Sequence, residues 1–490
     1  MKTGKSQVHL AVDLGAGSGR VVAGIFDGEK LELTVMNRFP NNATKEADGW
    51  HWQFENLFND IKRGIAVAVQ KYGDAVVSIG VDTWGVDYGL LDADGKLICA
   101  PFQYRDTRTT GMEEKAFQLM PRREIYQRTG IQFLFFNTLF QLLAEKNLSR
   151  AEHMLFMPDL IHYYLTGIRA NEKSIASTSQ LISPQKQEWD KDLIRAMKLP
   201  EKIFGKLIDA GTILGGLLPE IAKETGAKNL QVIAPGGHDT ASAVVGVPSD
   251  EANPVFLSSG TWSIMGRELA GPMISEKSFE AAFSNEGGVF GTTRFLKNIA
   301  GMWLLQECKR AWDAEGQTVG YDELQSQAQS SPPFAALIDP DAPDFQAPAN
   351  MPAAITQYCK RTGQTPPANF GAFTRMIFES LALKYRVVRE SLEQVTGKPV
   401  EKIHMVGGGC QHHLLNQFAA DALNCAMVCG PVEATSTGNI IMQLYALGKI
   451  GSLAGGRAVV RRSFGTKTFE PKNTAQWDEA FGRFKKVIAS

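Results

Sequence analysis

The chain has 490 residues, 44% hydrophobic and 21% charged, with a net charge of −1. That length exceeds one core and predicts two domains of roughly 200–250 residues. The near-neutral balance gives nucleic acid or an anionic membrane no electrostatic footing, and six scattered cysteines without a C-x-x-C pair form neither a disulfide framework nor a zinc site.

The first lobe is predicted to open with strands near 8–14, 19–27 and 30–39, the last two joined at Asp27-Gly28. A helix follows, with Leu57, Ile61, Ile65, Val67, Ala68 and Val69 giving it a buried face. Val76–Val81 then reads as a buried strand ending in Asp82-Thr83-Trp84-Gly85-Val86-Asp87. Three strands, a helix and a strand is the order of a ribonuclease-H-like α/β unit. Residues 111–205 read as largely helical, with segments around 138–148, 158–166 and 189–198. A strand at 230–234 enters the loop Pro235–Ser242, and the helix after it ends near Gly246. Polar, proline-flanked Val247–Pro254 suits a boundary between domains 1–250 and 251–490.

The second lobe starts its own hairpin at Val255. Helices are predicted near 298–313 and 370–396, flanking a surface crossover with six prolines between Pro332 and Pro352. Strand 402–406 leads into Gly407-Gly408-Gly409 and a helix at 412–423. A further strand reaches Gly430-Pro431, and Glu433–Asn439 opens the next helix. Arg457, Arg461 and Arg462 read as a solvated face. Met1–Gln7 carries no apolar signal core and no segment has the length of a membrane helix, so the expected location is cytoplasmic.

One pattern occurs twice: an apolar run, a small-residue turn and another apolar run, at His9–Val22 and again at Pro254–Gly266. Such turns gather backbone N–H groups into a nest for a phosphate oxygen. Two copies suggest a nucleotide held between similar lobes. Neither copy is a dinucleotide fingerprint or a P-loop, because the first glycine turn enters a strand and no G-K-[ST] follows. Asp13 beside the first turn implies Mg²⁺, held through water, since a carboxylate otherwise repels phosphate. Arg20 has the charge to reach a phosphate, or stands at the surface. Asp239, at a helix N-terminus where backbone dipoles keep it ionised, is the candidate base for a sugar hydroxyl. Asp82, Thr83, Trp84, Gly85 and Asp87 end a buried strand, where α/β sheets place ligands. The triple glycine lets a flat base approach the backbone.

These segments resemble the FGGY-type carbohydrate kinases of the actin/sugar-kinase/Hsp70-ATPase superfamily, most closely the branch acting on L-rhamnulose. The resemblance rests on AVDLGAGSGRV (11–21), DTWGVD (82–87), YRDTRT (104–109), GGHDTASAV (236–244), LSSGTWSIMG (257–266), NEGG (285–288), LKNIAGMWLLQ (296–306), GGGCQ (407–411) and GPVEATSTGNI (430–440). It implies two actin-like domains, sugar-binding and then ATP-binding, with the active site in an interlobe cleft. It implies ATP-dependent phosphorylation of L-rhamnulose at its first-carbon hydroxyl, with Mg²⁺. By motif, Ala16, Gly17, Ser18, Gly19, Arg20, Thr261, Gln306 and Gly408 would bind ATP. Gly85, His238, Asp239, Thr240 and Asn298 would meet the sugar, with Asp239 as the base. Trp84 and Phe136 are candidates for an apolar wall against the sugar's methyl group. The alternatives are a kinase for a related ketose such as L-fuculose, or a non-catalytic actin-like ATP- or sugar-binding protein.

Overall fold

The computed structural model describes residues 7–346 and 348–489. Met1–Ser6, on which most of the leaderless-start expectation rests, lie outside the described residues.

The chain folds into two compact units that are not contiguous in sequence. The first takes the chain up to Asn253 and adds Glu268–Phe295 and Ala434–Phe464; the second takes Pro254–Arg267, Leu296–Glu433 and the chain from Gly465. The first crossing falls in the expected linker, but the units do not divide at 250/251, because two later segments pack into the first.

In the first unit the strands run in the order Leu31–Pro40, Ser18–Phe26, Gln7–Leu14, Val76–Thr83, Gln231–Ala234, Thr212–Gly216. The first three pair antiparallel, Gln7–Leu14 and Gln231–Ala234 each lie parallel to Val76–Thr83, and the last strand is antiparallel. A second sheet runs in the order Ser284–Gly287, Thr293–Ala300, Trp262–Leu269, Val255–Ser259, Lys402–Val406, Ala426–Cys429, Lys467–Phe469. Its hairpin is likewise antiparallel, two parallel pairings follow, and the last strand is antiparallel. The repeated sequence pattern is thus a repeated topology. The central strand Gln7–Leu14 is buried from its second residue on, as expected of a parallel pairing covered on both faces.

Helix Phe54–Tyr72 turns Leu57, Ile61, Ile65 and Ala68 inward, with Val67 left exposed on the opposite face. Phe370–Thr396 matches the expected amphipathic helix, capped by the Asn369 side chain. Three further expectations fail. Residues 298–300 belong to strand Thr293–Ala300, and the helix starts only at Trp303. The proline-rich crossover is no loose surface loop: Leu337, Ile338 and Phe345 are buried, and Glu379 and Ser380 accept the Phe334 and Ile338 N–H groups. Arg457 is buried rather than solvated, paired with Glu268 at 2.8 Å and donating to the Val244 carbonyl.

What positions the site is helix Ala434–Ala446, which packs onto helix Asp239–Val245 within the first unit. A Cβ at Gly438 would lie 1.8 Å from the Ser242 carbonyl oxygen, and one at Gly246 2.4 Å from that of Ala434. Two backbones touch here because neither residue has a side chain. Gly438→Ala therefore forces the helices apart, and urea unfolding should show a loss of about 1–3 kcal/mol. An unchanged midpoint would mean that the contact is slack.

Candidate active site

The structure groups the residues expected from sequence into two sets, one in each unit. In the first unit, strands Gln7–Leu14 and Val76–Thr83 set Asp13 opposite Asp82 in register. Asp13 Oδ2 accepts from Arg20 Nε at 3.1 Å and Nη2 at 2.7 Å, and from the Ser436 hydroxyl at 2.8 Å. Arg20 is thus turned onto Asp13 here, not held out for a phosphate. Asp82 is fully buried; its Oδ2 accepts from Asn439 at 2.6 Å, while its Oδ1 has no partner. Burial first, and then the Asp13 charge, push the Asp82 carboxyl well above its usual range. A buried carboxylate oxygen without a donor, beside a second carboxylate, suits a hard divalent cation. The residues present therefore fit Mg²⁺, with Asp82 a candidate the sequence reading did not single out. Among the described residues, the one close group of three potential metal ligands lies elsewhere, at Glu46, Asp48 and His51.

The glycine turn Gly15–Ser18 is closed by the Gly15 N–H donating to Ser18 at 2.9 Å. Gly17 and Ser18 are exposed, and a Cβ at Gly17 would meet nothing within 4 Å. Gly19 serves packing instead: a Cβ there would strike Phe39 and Leu14.

Thr83 is joined to the Gly236–Thr240 loop, its N–H donating to the Gly237 carbonyl at 2.9 Å. A Cβ at Gly85 would lie 3.3 Å from His238 Nε2, so Gly85, His238, Asp239 and Thr240 converge. Next to Gly85, Val86 sits at φ 69°, left-handed and costly for a β-branched residue. Thr138 and Thr178 hydroxyls pin its carbonyl and N–H at 2.7 and 3.1 Å. That turn delivers Asp87, which accepts from the Trp52 and Trp84 indoles, the Tyr104 N–H and Gln141. Trp84 and Phe136 are both tied to this knot: the Trp84 indole bonds Asp87, and Gln141 bridges Asp87 to the Phe136 carbonyl.

Asp239 is the first residue of helix Asp239–Val245, while His238 holds the N-cap position. The Asp239 side chain is 31% exposed, with Oδ1 accepting from the Thr240 hydroxyl at 3.0 Å and lying 3.3 Å from His238 Nε2. Its carboxyl is raised above the usual value by burial, against which the hydrogen bond from Thr240 works. The sequence reading has the helix N-terminus keep Asp239 ionised; burial works against that. Behind the loop, Glu172 accepts from Ser174 and from the Gly237 N–H at 2.9 Å. His238 also faces Glu286 at 3.3 Å and Arg294 at 3.0 Å, neither of which the sequence reading assigned. The signal for Glu286 was the N-E-G-G motif, which carries no chemistry on its face; Arg294 lies outside it.

In the second unit, Gly260, Gln306, Tyr321, Gly408 and His412 line a pocket of about 380 Å³. Thr261 joins it through a 3.2 Å hydrogen bond to Gln306. The three glycines divide their work. Gly407 takes φ 87°, and a Cβ at Gly409 would strike the Ser259 hydroxyl. Gly408 alone faces open space. Asn298, expected to meet the sugar, lies half-buried on strand Thr293–Ala300, in the stretch that belongs to the second unit.

Models of the N- and C-terminal domains of the FGGY family of carbohydrate kinases match residues 8–246 and 255–447. The chain belongs to the FGGY family of carbohydrate kinases. It is 44% identical to a rhamnulokinase of Bacteroides thetaiotaomicron, covering 98% of this chain and 99% of that one. A Halalkalibacterium halodurans rhamnulokinase is 38% identical over 94% of this chain and 98% of its own. Among solved structures, a ligand-bound xylulose kinase from Lactobacillus acidophilus superposes with a TM-score of 0.81 at 16% identity, covering 99% of this chain and 98% of that one. Plasmodium falciparum glycerol kinase with ADP does so at 0.74 and 15%, with the same coverage. These two establish the sugar-kinase fold. No described helix is long and apolar enough to cross a membrane.

Burial raises the Glu172 carboxyl from 4.5 to about 7. A raised carboxyl stabilises the fold fully below its unfolded value, and that contribution is lost as pH rises through the folded one. Glu172→Gln should therefore flatten the decline in unfolding free energy between about pH 5 and pH 8, by up to about 3 kcal/mol. Denaturant titrations showing parallel declines in both proteins would place the titrating group elsewhere.

Proposed function

We propose that the protein is an ATP-dependent kinase that phosphorylates L-rhamnulose at its first-carbon hydroxyl, giving L-rhamnulose 1-phosphate and ADP. The observation that carries the reading is the half-open Asp239 carboxylate beside His238 and Gly85, in a chain matched over nearly its whole length by rhamnulokinases. Gly85, His238 and Thr240 bind the sugar. Asp239 takes the hydroxyl proton as the bond to phosphorus forms, and its lowered acidity makes it the stronger acceptor. Turn residues Ala16, Gly17 and Ser18 meet the phosphates, while Thr261, Gln306 and Gly408 hold the adenosine. Asp13 and Asp82 would hold Mg²⁺, Asp13 through water, and the ion would neutralise charge on the phosphates. Six free cysteines and the need for ATP support a cytoplasmic setting.

Asp239→Asn keeps the shape but cannot accept a proton. Turnover should fall by about 10²–10⁴ with ATP affinity little changed; near-normal turnover at saturating sugar would remove Asp239 as base.

Because a Cβ at Gly408 meets nothing, Gly408→Val should fold and fill the pocket. Calorimetry should then show weakened ATP binding and intact sugar binding; unchanged ATP affinity would take this loop out of the nucleotide site.

Trp84 and Phe136 supply the apolar wall for the sugar's methyl group. Replacing that methyl with hydroxymethyl should cost about 1–3 kcal/mol in kcat/KM, because an apolar pocket rejects an added hydroxyl weakly. Inverting a ring hydroxyl should cost more, by leaving a buried group unpaired. A ketose panel that ranked D-xylulose or glycerol above L-rhamnulose would sink the substrate assignment and leave the kinase standing.

A further inference from the structure

Arg294 is a cation sealed inside the first unit, with 0% of its side chain exposed, so it touches no substrate. Its Nε donates to the Gly287 carbonyl at 2.8 Å, and its Nη1 lies 3.2 Å from Glu286 Oε2 and 3.0 Å from His238 Nδ1. A guanidinium has only hydrogens to offer. At 3.0 Å, then, His238 Nδ1 presents its lone pair, and the ring proton sits on Nε2. Nε2 lies 3.3 Å from Asp239 Oδ1. Glu286 Oε2 lies 3.3 Å from the same Nδ1 and compensates the Arg294 charge.

The tautomer matters to the base. With the proton on Nδ1, a lone pair on Nε2 would confront the Asp239 carboxylate and favour its protonated, inactive form. With the proton on Nε2, His238 and the Thr240 hydroxyl both address Oδ1, leaving Oδ2 to receive a proton. The other charges acting on Asp239 are Asp13, Asp82 and Arg294 itself.

We infer that Arg294, anchored by Glu286 and the Gly287 carbonyl, is a positioning residue that fixes His238 as the neutral Nε2–H tautomer and so orients Asp239 for proton abstraction. The catalytic part of this rests on Asp239 being the base; the ring assignment does not.

The test begins with native protein labelled with ¹⁵N-histidine, the His238 resonances being assigned by their loss in His238→Gln. Long-range ¹H–¹⁵N correlation should show a protonated Nε2 and an unprotonated Nδ1. Arg294→Met should move the proton onto Nδ1, facing Glu286, and lower kcat about tenfold or more with KM for ATP unchanged. Arg294→Lys keeps the charge but loses the fork, and should recover part of both signals. An Nδ1–H ring or an imidazolium in the native protein overturns the inference without any variant, as does a native spectrum and full kcat in Arg294→Met. The spectrum needs no turnover. A chain inactive on every ketose would therefore overturn the functional reading, while an Nε2–H ring would still support the tautomer assignment.

Discussion

Two carboxylates on neighbouring parallel strands, Asp13 and Asp82, are buried at the same level of one sheet, and the rest of the first unit is arranged around making that tolerable. Burying such groups is costly unless each finds partners. The partners come from far along the chain: Ser436 for Asp13 and Asn439 for Asp82, both on helix Ala434–Ala446. Bringing that helix in requires backbone contact with helix Asp239–Val245, which Gly438 and Gly246 permit. The helix that carries the proposed base is thus located by the same packing that satisfies the acidic pair. This is also why the units interleave: the segment that completes the first unit must return from beyond residue 433.

The duplicated topology makes the difference between the units easier to see. Where the first unit pairs Asp13 with Asp82, the corresponding step of the second pairs Ser258 with Val406. One ladder ends in charge and the other in neutral groups. An aqueous cation and acid–base chemistry suit the first; a flat heterocycle against Gly408 and Gln306 suits the second. The same strand–turn–strand frame has been given two chemistries by changing the residues at the end of its central pair.

Much of this was legible. Apolar, β-branched runs located the strands around 8–39 and amphipathic periodicity the helix Phe370–Thr396, because those segments are long. Asp239, His238 and Gly85 were legible as motif residues, and they do converge. Interactions across long sequence distances were not. Arg457 reads as surface charge until Glu268 is seen against it, 189 residues away. Arg20 reads as a phosphate ligand until Asp13 is seen to occupy it. Local pattern also missed the strand through Asn298, whose apolar residues fit a helix equally well. In each case the deciding term was a partner remote in sequence.

The acidity of Asp239 shows how such remote terms change chemistry rather than shape. A helix N-terminus alone argues for a depressed carboxyl. Here the helix is seven residues long, its N-cap side chain makes no hydrogen bond to the helix, and its first residue is only partly open to solvent. Desolvation therefore dominates and raises the carboxyl. The proposed role needs that direction, since a carboxylate of ordinary acidity is a poor acceptor for an alcohol proton. It also needs the group to remain ionised, which burial opposes. The counterweight is the His238 and Thr240 pair on one carboxylate oxygen, with Arg294 and Glu286 held behind the ring. A base both strengthened by burial and kept charged by directed donors requires polar groups deeper than itself, and the sealed Arg294–Glu286 pair is what the first unit places there.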